Sequence, residues 1–395
     1  MLSLLLSVFL SVSQADTTVA TPSIFGVAKA LLGFMSSKAT TAEDSVAVGM
    51  LQQTLDAVEQ GDRDGVFAPL KDYSAQKLDT IDRGTILPAG TDAVFISRMN
   101  PQTFFLNLPP ANYSGIAPVN ISGLEGDFLL VDDKSSSEGW RKVHLTFDAN
   151  GQVVALRDDG FVAASTKATA IDGEGIAFNP RRHTVMLTRE ASNEILEFHL
   201  DGSATGRYLH TASYYPKNGN VGLESLSYND ATGRFWTATE APLKGEETIR
   251  IQSYAPYSWP LGHWFYRLDK PLVKNKGSIY VHGISEICAL DDGTLMVLER
   301  EANIPGTSVS QAVGGSVVCK LYRVSPSQSP RGSVLEKHLL TRFETAALDL
   351  SFANYEGMCL GPVLPDGRQV VMLIADSQAG YKGVLRDWFK TIVLN

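Results

Sequence analysis

Four glutamates occupy matching places in a short phrase that the chain repeats. Each lies among small residues and ahead of an apolar residue, and the four are Glu174, Glu224, Glu286 and Glu356. Ser114 occupies the same place in a further copy, and successive copies are separated by about 50 to 70 residues. Carboxylates brought to one place repel one another strongly, so they require a cation, arginines or protons.

A second set of acids ends the β-rich run that follows each phrase. Its members are Asp132 or Asp133, Glu190, Glu240, Glu299 or Glu301, and Asp376. Oxygen donors without clustered His or Cys favour Ca²⁺ or Mg²⁺ over zinc, and we expect Ca²⁺ more than Mg²⁺. The predicted metal ligands are Glu174, Glu190, Glu224, Glu240, Glu286, Glu299, Glu356 and Asp376.

The predicted chemistry is hydrolysis of an ester with the help of a divalent ion. Such an ion bridges protein carboxylates to phosphoryl oxygens and activates a water. Glu224 and Glu286 are the predicted catalytic acids, and His282, shortly before Glu286, is placed to act as an acid or base. A lone histidine more often has a structural role, and both roles remain open for His282.

Three basic residues are predicted to bind an anionic substrate. They are Arg189, Arg300 and Lys382, each close in sequence to an acid of the second set. Guanidinium groups form paired, charge-assisted hydrogen bonds with phosphate and carboxylate groups. The alternative is structural, because a glutamate in every repeat can also accept hydrogen bonds from a neighbouring unit, and arginines can simply neutralise it. No Gly-x-Ser-x-Gly motif is present, which argues against an α/β-type serine hydrolase.

Each repeated phrase opens a unit of two β-rich runs joined by a turn. Turn residues that tolerate positive φ separate the runs at Asn229–Gly233, Asp291–Gly293 and Pro365–Gly367. A unit of about 50 to 70 residues built from strands is typical of a β-propeller, in which each unit forms one blade. Residues at equal places in the blades usually share one radius, so we expect the acids around the rim of a central channel.

The predicted fold is an all-β propeller of five or six blades. Five units are marked by the phrase, and the β-rich segments Ala93–Ile96 and Thr103–Leu106 precede the first of them. The last unit is short. Strands from both ends of the chain that complete one sheet would leave no open edge, so we expect this circular closure.

The predicted organisation has three parts. Residues 1–15 resemble a signal peptide, since Leu2–Val12 is apolar and a small-residue pattern follows, although no Lys or Arg precedes the run. Residues 16–85 form a helical extension, and residues 86–395 form the propeller. The chain is therefore expected to be secreted or periplasmic, the alternative being a mis-assigned start codon or a frayed cytoplasmic terminus. The apolar run is too short to span a membrane as a helix.

The composition is that of an ordinary soluble protein. The 395 residues have a net charge of −9, with 44% hydrophobic and 19% charged residues. This acidic balance argues against nucleic acid as a partner and is compatible with cation binding. The three cysteines, Cys288, Cys319 and Cys359, lack metal-ligand spacing and are expected to be buried thiols.

An aromatic segment, Lys244–Lys276, contains Tyr254, Tyr257, Trp259, Trp264 and Tyr266. It could line a ligand site. Packing of these rings between blades is the expected role.

The repeated phrases resemble those of the phytase-like domain family, also described as the "esterase-like activity of phytase" domain. The matching segments are Asn112–Ile116, Gly173–Ala177, Gly222–Leu226, Ile284–Ile287, Leu298–Arg300 and Asn354–Met358. The resemblance covers roughly residues 90–395. It implies a β-propeller, commonly exported, with an ester or phosphoester hydrolase activity, and it assigns no catalytic residues.

Two functions follow from the sequence. The first is a metal-assisted hydrolase of a small phosphate or carboxylic ester, with a lactonase-type propeller as a variant. The second is a non-catalytic propeller that binds a sugar, a peptide or another protein through its loops. We expect a monomer without a transmembrane span.

Overall fold

The computed structural model describes residues 95–395 with seven short gaps, and a few residues nearer the N-terminus. The gaps are residues 136, 166–171, 216–221, 256–259, 307–313, 348–350 and 381–384. The N-terminal residues described are 48, 49, 52, 53, 55, 56 and 60.

Within the described residues, twenty strands form five antiparallel sheets of four strands each. The first strand is β1 (Ile96–Met99). Blade 1 consists of β2 (Tyr113–Ser122), β3 (Glu125–Asp132), β4 (Gly139–Phe147) and β5 (Val153–Ala163). Blade 2 consists of β6 (Gly173–Asn179), β7 (Thr184–Arg189), β8 (Glu194–His199) and β9 (Ala204–Leu209).

The remaining strands form three more blades. Blade 3 consists of β10 (Ser227–Asn229), β11 (Arg234–Ala238), β12 (Ile249–Tyr254) and β13 (Pro260–Tyr266). Blade 4 consists of β14 (Ile279–Ala289), β15 (Leu295–Ile304), β16 (Ser316–Val324) and β17 (Lys337–Ala346), with a 3₁₀ helix at Pro326–Gln328. Blade 5 combines β18 (Asn354–Val363), β19 (Gln369–Asp376) and β20 (Phe389–Leu394) with β1.

Strands from both ends of the described chain close the ring. β1 pairs with β20 so that Ile96 lies opposite Leu394 and Met99 lies opposite Ile392. The innermost strand β18 of blade 5 also contacts β2 of blade 1. The predicted propeller and its circular closure are therefore confirmed, and the number of blades is five.

The predicted hairpin turns are present between the two inner strands of three blades. Gly233, Gly293 and Gly367 have φ values of 63°, 79° and 89°. A residue with a Cβ atom adopts this left-handed region only at a cost, which explains why glycine stands there.

The hydrophobic core consists of five clusters, and each fills the space between two neighbouring blades. Between blades 1 and 5, for example, Phe128 and Ile116 pack with Met372. A single blade cannot bury both of its faces, so burial of apolar surface, worth about 25 cal/mol per Å², joins one blade to the next.

The aromatic segment and the cysteines have the roles expected of them. Tyr254 is buried between blades 2 and 3, while Trp264 and Tyr266 are buried between blades 3 and 4. Tyr257 and Trp259 lie outside the described residues. All three cysteines are buried free thiols.

The N-terminal part is described only in fragments. Residues 48, 49, 52, 53, 55 and 56 are helical, and Leu55 is buried. The rest of the predicted extension at 16–85 and the predicted signal peptide at 1–15 lie outside the described residues, so both stay predictions. No helix in the described part of the chain is long and apolar enough to cross a membrane.

Candidate functional site

A bulge near the start of each innermost strand positions the first set of acids. The pairing of β2 with β3 skips Ser114, and that of β18 with β19 skips Glu356. In blade 3 the amides of Glu224 and Ser225 both donate to the carbonyl of Ala238, at 3.0 and 3.4 Å. A bulge leaves one residue outside the ladder and redirects its side chain. Ser114, Glu174, Glu224 and Glu356 therefore take equivalent places around the axis.

The second set lies at the end of the neighbouring strand. The residues at this place are Asp133, Glu190, Glu240 and Asp376, with Arg300, inside β15, in blade 4. Four of these residues pair with the residue two places before the bulge of their own blade. The amide of Asp133 donates to Asn112 O at 3.1 Å, and that of Glu190 donates to Asp172 O at 3.0 Å. In the strand pairing, Arg300 lies opposite Gly283 and Asp376 lies opposite Asn354. The fourth blade thus has an arginine where the other four have an acid.

Four of these acids and Asp172 form a cluster of two groups that share Glu174. Asp133, Asp172 and Glu174 form the first group, and Glu174, Glu190 and Glu224 form the second. Within each group the candidate ligand oxygens lie within 4.8 Å of one another. We call these five residues the acid cluster.

Several carboxylates of the acid cluster lack hydrogen-bond partners. Glu174 and Glu224 are 6% and 8% exposed, and no described residue donates a hydrogen bond to either carboxylate. Asp133 Oδ2 accepts from Lys134 Nζ at 2.5 Å, but its buried Oδ1 has no partner among the described residues. The cluster therefore combines negative charge with unsatisfied oxygen atoms.

Burial and mutual repulsion raise the pKa values of the clustered acids. Burial is the larger cause for Glu174 and Glu224, followed by neighbouring carboxylates, and both pKa values lie well above the usual range. The pKa of Asp133 is raised to about 6, again mainly by burial. Burial raises the pKa of Glu190 to about 7, although the Gly222 amide opposes this. Without a cation, the cluster therefore holds protons at neutral pH.

Arg300 neutralises part of the ring instead of lying free for a substrate. Its guanidinium donates to Glu240 Oε1 at 2.5 Å, to Asn354 Oδ1 at 2.6 Å and to Glu356 Oε1. Burial lowers the Arg300 pKa, but Glu356 and Glu240 more than offset this and raise it well above the usual value. The structure thus places Arg300 as the fixed partner of two predicted metal ligands.

Asp376, the remaining acid of the second set, is 3% exposed and accepts a hydrogen bond from the Gln378 amide at 2.6 Å. Burial, followed by repulsion from Glu356, raises its pKa well above the usual value.

Glu286 does not lie with the acid cluster, because the bulge of blade 4 falls one residue earlier than the repeated phrase predicts. Ile284 lies opposite Glu299 and Glu286 lies opposite Leu298, so the bulged residue is Ser285. Glu286 Oε1 accepts from the amides of Leu226 at 3.2 Å and Ile287 at 2.9 Å. This carboxylate links blades 3 and 4, which is the structural alternative stated above.

Glu299 and Glu301 project from β15 on the face opposite Arg300, because successive side chains of a strand alternate. Glu299 accepts from Tyr266 OH at 2.9 Å and from Lys337 Nζ at 2.8 Å. Glu301 accepts from the amides of Leu272 and Val273 at 2.8 and 2.9 Å. Both residues hold the segment between β13 and β14.

The other predicted substrate and catalytic groups are also engaged elsewhere. His282 Nε2 lies 3.2 Å from Glu299 Oε1, on the face of β15 away from Arg300. Arg189 donates to Glu138 at 2.6 Å and to Glu194 at 3.1 Å. Lys382 lies outside the described residues.

Asp172 is the member of the acid cluster that belongs to neither predicted set of acids, and Asp133, an alternative to Asp132 in the second set, is not among the predicted metal ligands. Asp172 stands two residues before Glu174, where Asn112 precedes Ser114 and Asn354 precedes Glu356. A polar residue two places before the key position recurs in these three repeats, and this pattern could have identified Asp172.

Beyond the ring the channel becomes apolar. A cavity of about 70 Å³ is lined by residues of all five innermost strands or the residues just ahead of them, among them Ile116, Ile176, Leu226, Cys288 and Met358. The innermost strands thus line a mainly apolar cavity next to the bulges.

A sequence model of the phytase-like family, described as "Esterase-like activity of phytase", matches residues 111–378. The chain belongs to the phytase-like family. The match begins just before the bulge of blade 1 and ends just after Asp376, so it spans all five bulge positions. Membership of this family, together with the β-propeller fold, indicates a hydrolase-like protein, without defining its substrate.

Other comparisons add little to the family assignment. The comparison with curated proteins finds no match. Among solved structures, the phytase-like chain is similar to Kuenenia stuttgartiensis hydrazine synthase, with 10% identity, a TM-score of 0.33, and coverage of 68% of this chain and 58% of that one. It is also similar to the phage phi92 endosialidase, with 12% identity, a TM-score of 0.34, and coverage of 76% and 50%. The chain thus spans about half the length of these proteins.

Proposed function

We propose that this phytase-like chain hydrolyses a small phosphate or carboxylic ester with the help of a divalent cation held by the acid cluster. One observation supports this most: the carboxylates of Glu174 and Glu224 are buried beside other acids, and no described residue donates a hydrogen bond to them. Buried polar groups are normally paired, because an unpaired one destabilises the fold. A cation supplies the missing partner to both.

Calcium matches the acid cluster better than magnesium does. All the donors are carboxylate oxygens, and neither group contains a histidine or cysteine. Ca²⁺ accepts six to eight oxygen ligands at about 2.3–2.6 Å in irregular arrangements, whereas Mg²⁺ requires near-octahedral geometry and retains several waters. Carboxylates crowded together from three blades favour the larger and more adaptable ion.

The acids also provide a proton acceptor for the reaction. A bound divalent cation polarises the ester and lowers the pKa of a water. The water oxygen bonds to phosphorus or to the acyl carbon, the ester bond to the alcohol oxygen breaks, and one proton of the water ends on the released alcohol. A carboxylate of the cluster beside the cation would relay that proton to the alcohol.

Turnover of p-nitrophenyl phosphate and p-nitrophenyl acetate by the purified chain tests this proposal. We expect hydrolysis of at least one ester, loss of activity with EDTA and recovery with excess Ca²⁺. Glu174→Gln and Glu224→Gln should each reduce the rate by at least about 100-fold, because each removes a ligand of the cation. Asp201→Asn, at an exposed turn of blade 2, is the matched control and should retain the wild-type rate.

The competing function is a non-catalytic binding propeller. Links such as that from the Gly222 amide to Glu190 Oε1, at 3.2 Å, favour a structural role for some acids. Cation-dependent stabilisation without turnover of any ester would favour this function. Turnover that is insensitive to EDTA and to both Gln variants would contradict the proposed site.

A further inference from the structure

Each half of the acid cluster has its own unsatisfied oxygen. In the first group, Asp133 is 7% exposed and its Oδ1 has no hydrogen-bond partner among the described residues. In the second group, Glu224 is 8% exposed and no described residue donates to its carboxylate. Glu174 belongs to both groups and is equally without a described donor. One ion placed in the second group leaves Asp133 Oδ1 unpaired, and one ion placed in the first group leaves the Glu224 carboxylate without a described partner.

The charge of the acid cluster leads to the same conclusion. Its five carboxylates together have five negative charges when ionised. Arg300 does not neutralise them by hydrogen bonding, because its guanidinium donates to Glu240, Glu356 and Asn354 instead. Lys134, paired with Asp133, neutralises one of these charges. One divalent ion would then leave about two negative charges in a buried site, whereas two would leave about none.

We propose that the acid cluster holds two divalent cations, one in each group, with the two oxygens of Glu174 bridging them. Asp133 and Asp172 complete the first ion's protein ligands, and Glu190 and Glu224 complete those of the second. This proposal rests on the proposed function and refines it. Blades 1 and 3 each supply a ligand to only one ion, while blade 2 supplies ligands to both.

A bridged pair of cations favours phosphate esters over carboxylic esters. Two cations about 3.5–4 Å apart stabilise both the attacking and the leaving oxygen of an in-line displacement at phosphorus. A water oxygen forms the new bond to phosphorus while the bond from phosphorus to the alcohol oxygen breaks. The alcohol leaves with a proton from the water, and inorganic phosphate is the other product. No oxidant, reductant or further reactant is needed.

The test uses the full chain, stripped of metal with EDTA and reloaded with Mn²⁺, which replaces Ca²⁺ at oxygen sites. We expect two Mn²⁺ per chain by elemental analysis. The electron paramagnetic resonance spectrum should show the closely spaced lines of two exchange-coupled ions, not the six lines of an isolated Mn²⁺. This measurement on the unaltered protein does not depend on whether any variant folds.

Three variants separate the two groups. Asp133→Asn should remove only the first ion, and Glu224→Gln only the second, so each variant should bind one Mn²⁺ and give the six-line spectrum. Glu174→Gln should abolish the coupling. The control Asp201→Asn should retain two coupled ions.

The outcomes distinguish this proposal from the proposed function. One Mn²⁺ per chain with a six-line spectrum, in a protein that still hydrolyses esters, overturns the paired site but not the cation-dependent hydrolase. No bound Mn²⁺ overturns both. Equal rates with phosphate and carboxylic esters at full loading would contradict the preference for phosphorus, whereas at least a tenfold preference for the phosphate ester supports it.

Discussion

Arg300 occupies one place in the ring and pairs with two of its acids. It stands where the other blades have Asp133, Glu190, Glu240 and Asp376, and it pairs with two of the acids predicted as metal ligands. The sequence shows an arginine between two glutamates, and either glutamate fits the repeat as well as Arg300 does. Only the strand register shows that the arginine itself occupies the ring position.

Replacing Arg300 should destabilise the protein. Arg300→Gln leaves Glu240 and Glu356 without their cationic partner in a site where Arg300 is 4% exposed. Breaking a buried ion pair by removing one partner costs about 3–5 kcal/mol, and the partial exposure of both glutamates places the expected loss near the lower end. Urea unfolding at pH 7.5 measures it.

The exposed pair of Arg368 with Asp366 provides the matched control. Arg368→Gln should leave the free energy of unfolding nearly unchanged, because solvent screens exposed ion pairs. An Arg300→Gln protein as stable as this control would show that Arg300 does not hold the ring together.

The metal-free protein should lose stability as the pH rises from about 4 to 7. The pKa of Asp133 is raised from 3.8 to about 6 and that of Glu190 from 4.5 to about 7, so the folded state holds protons that the unfolded chain releases. Stability from such groups is complete below the unfolded pKa and is lost as the pH passes through the folded pKa. Melting temperatures in EDTA across this range test the sign.

Saturating Ca²⁺ should reduce or reverse this pH dependence, because the cation competes with protons for the same oxygens. A melting temperature in EDTA that rises steadily from pH 4 to 7 would contradict the protonated cluster.

At the scale of the strands, the bulges explain which of the predicted site residues lie together and which do not. The spacing of the repeated phrase is sufficient to predict Glu174, Glu224 and Glu356 at one end of the channel. The segment Gly283-Ile284-Ser285-Glu286-Ile287 fits the phrase with either Ser285 or Glu286 in the key place. A bulge shifts register by one residue, and a one-residue shift reverses which face a side chain takes. No local residue preference decides between the two.

Because of the register of blade 4, we expect Glu286 to be dispensable for cation binding. Glu286→Gln retains an oxygen that can accept from the amides of Leu226 and Ile287, and burial raises the pKa of this acid well above its usual value. We expect a change of less than about 1 kcal/mol in the free energy of unfolding. Calorimetric titration with Ca²⁺ should give the wild-type affinity for Glu286→Gln and a large loss for Glu174→Gln. Equal losses in both variants would return Glu286 to the site.

At the scale of the whole molecule, the periodicity of strands, turns and acids was sufficient to predict a propeller closed by both ends of the chain. It did not determine the number of blades, because β1 is a strand of only four residues and no phrase marks it. Its place in blade 5 depends on pairing across nearly 300 residues with β20, which no local pattern encodes. Asp172, likewise, joins the site only because blades 1 and 2 meet at the axis.

Closure of the ring should contribute measurably to stability. Ile96 of β1 is 1% exposed and packs in the cluster between blades 4 and 5. Ile96→Ala should therefore lower the free energy of unfolding by about 2–4 kcal/mol, the usual cost of such a truncation in a core. Val363→Ala, at a position that is 56% exposed, is the control and should have little effect. If the two variants unfold at the same urea concentration, β1 does not fasten the ring.

The most direct measurement is anomalous X-ray diffraction from crystals of the protein grown with Ca²⁺ or Mn²⁺. We expect anomalous density with Glu174 oxygens at bonding distance, about 2.3–2.6 Å for Ca²⁺, and with Asp133, Asp172, Glu190 and Glu224 completing the ligands. Absence of density there at millimolar metal, or density only at surface carboxylates, would contradict the cation site and leave the acids as links between blades.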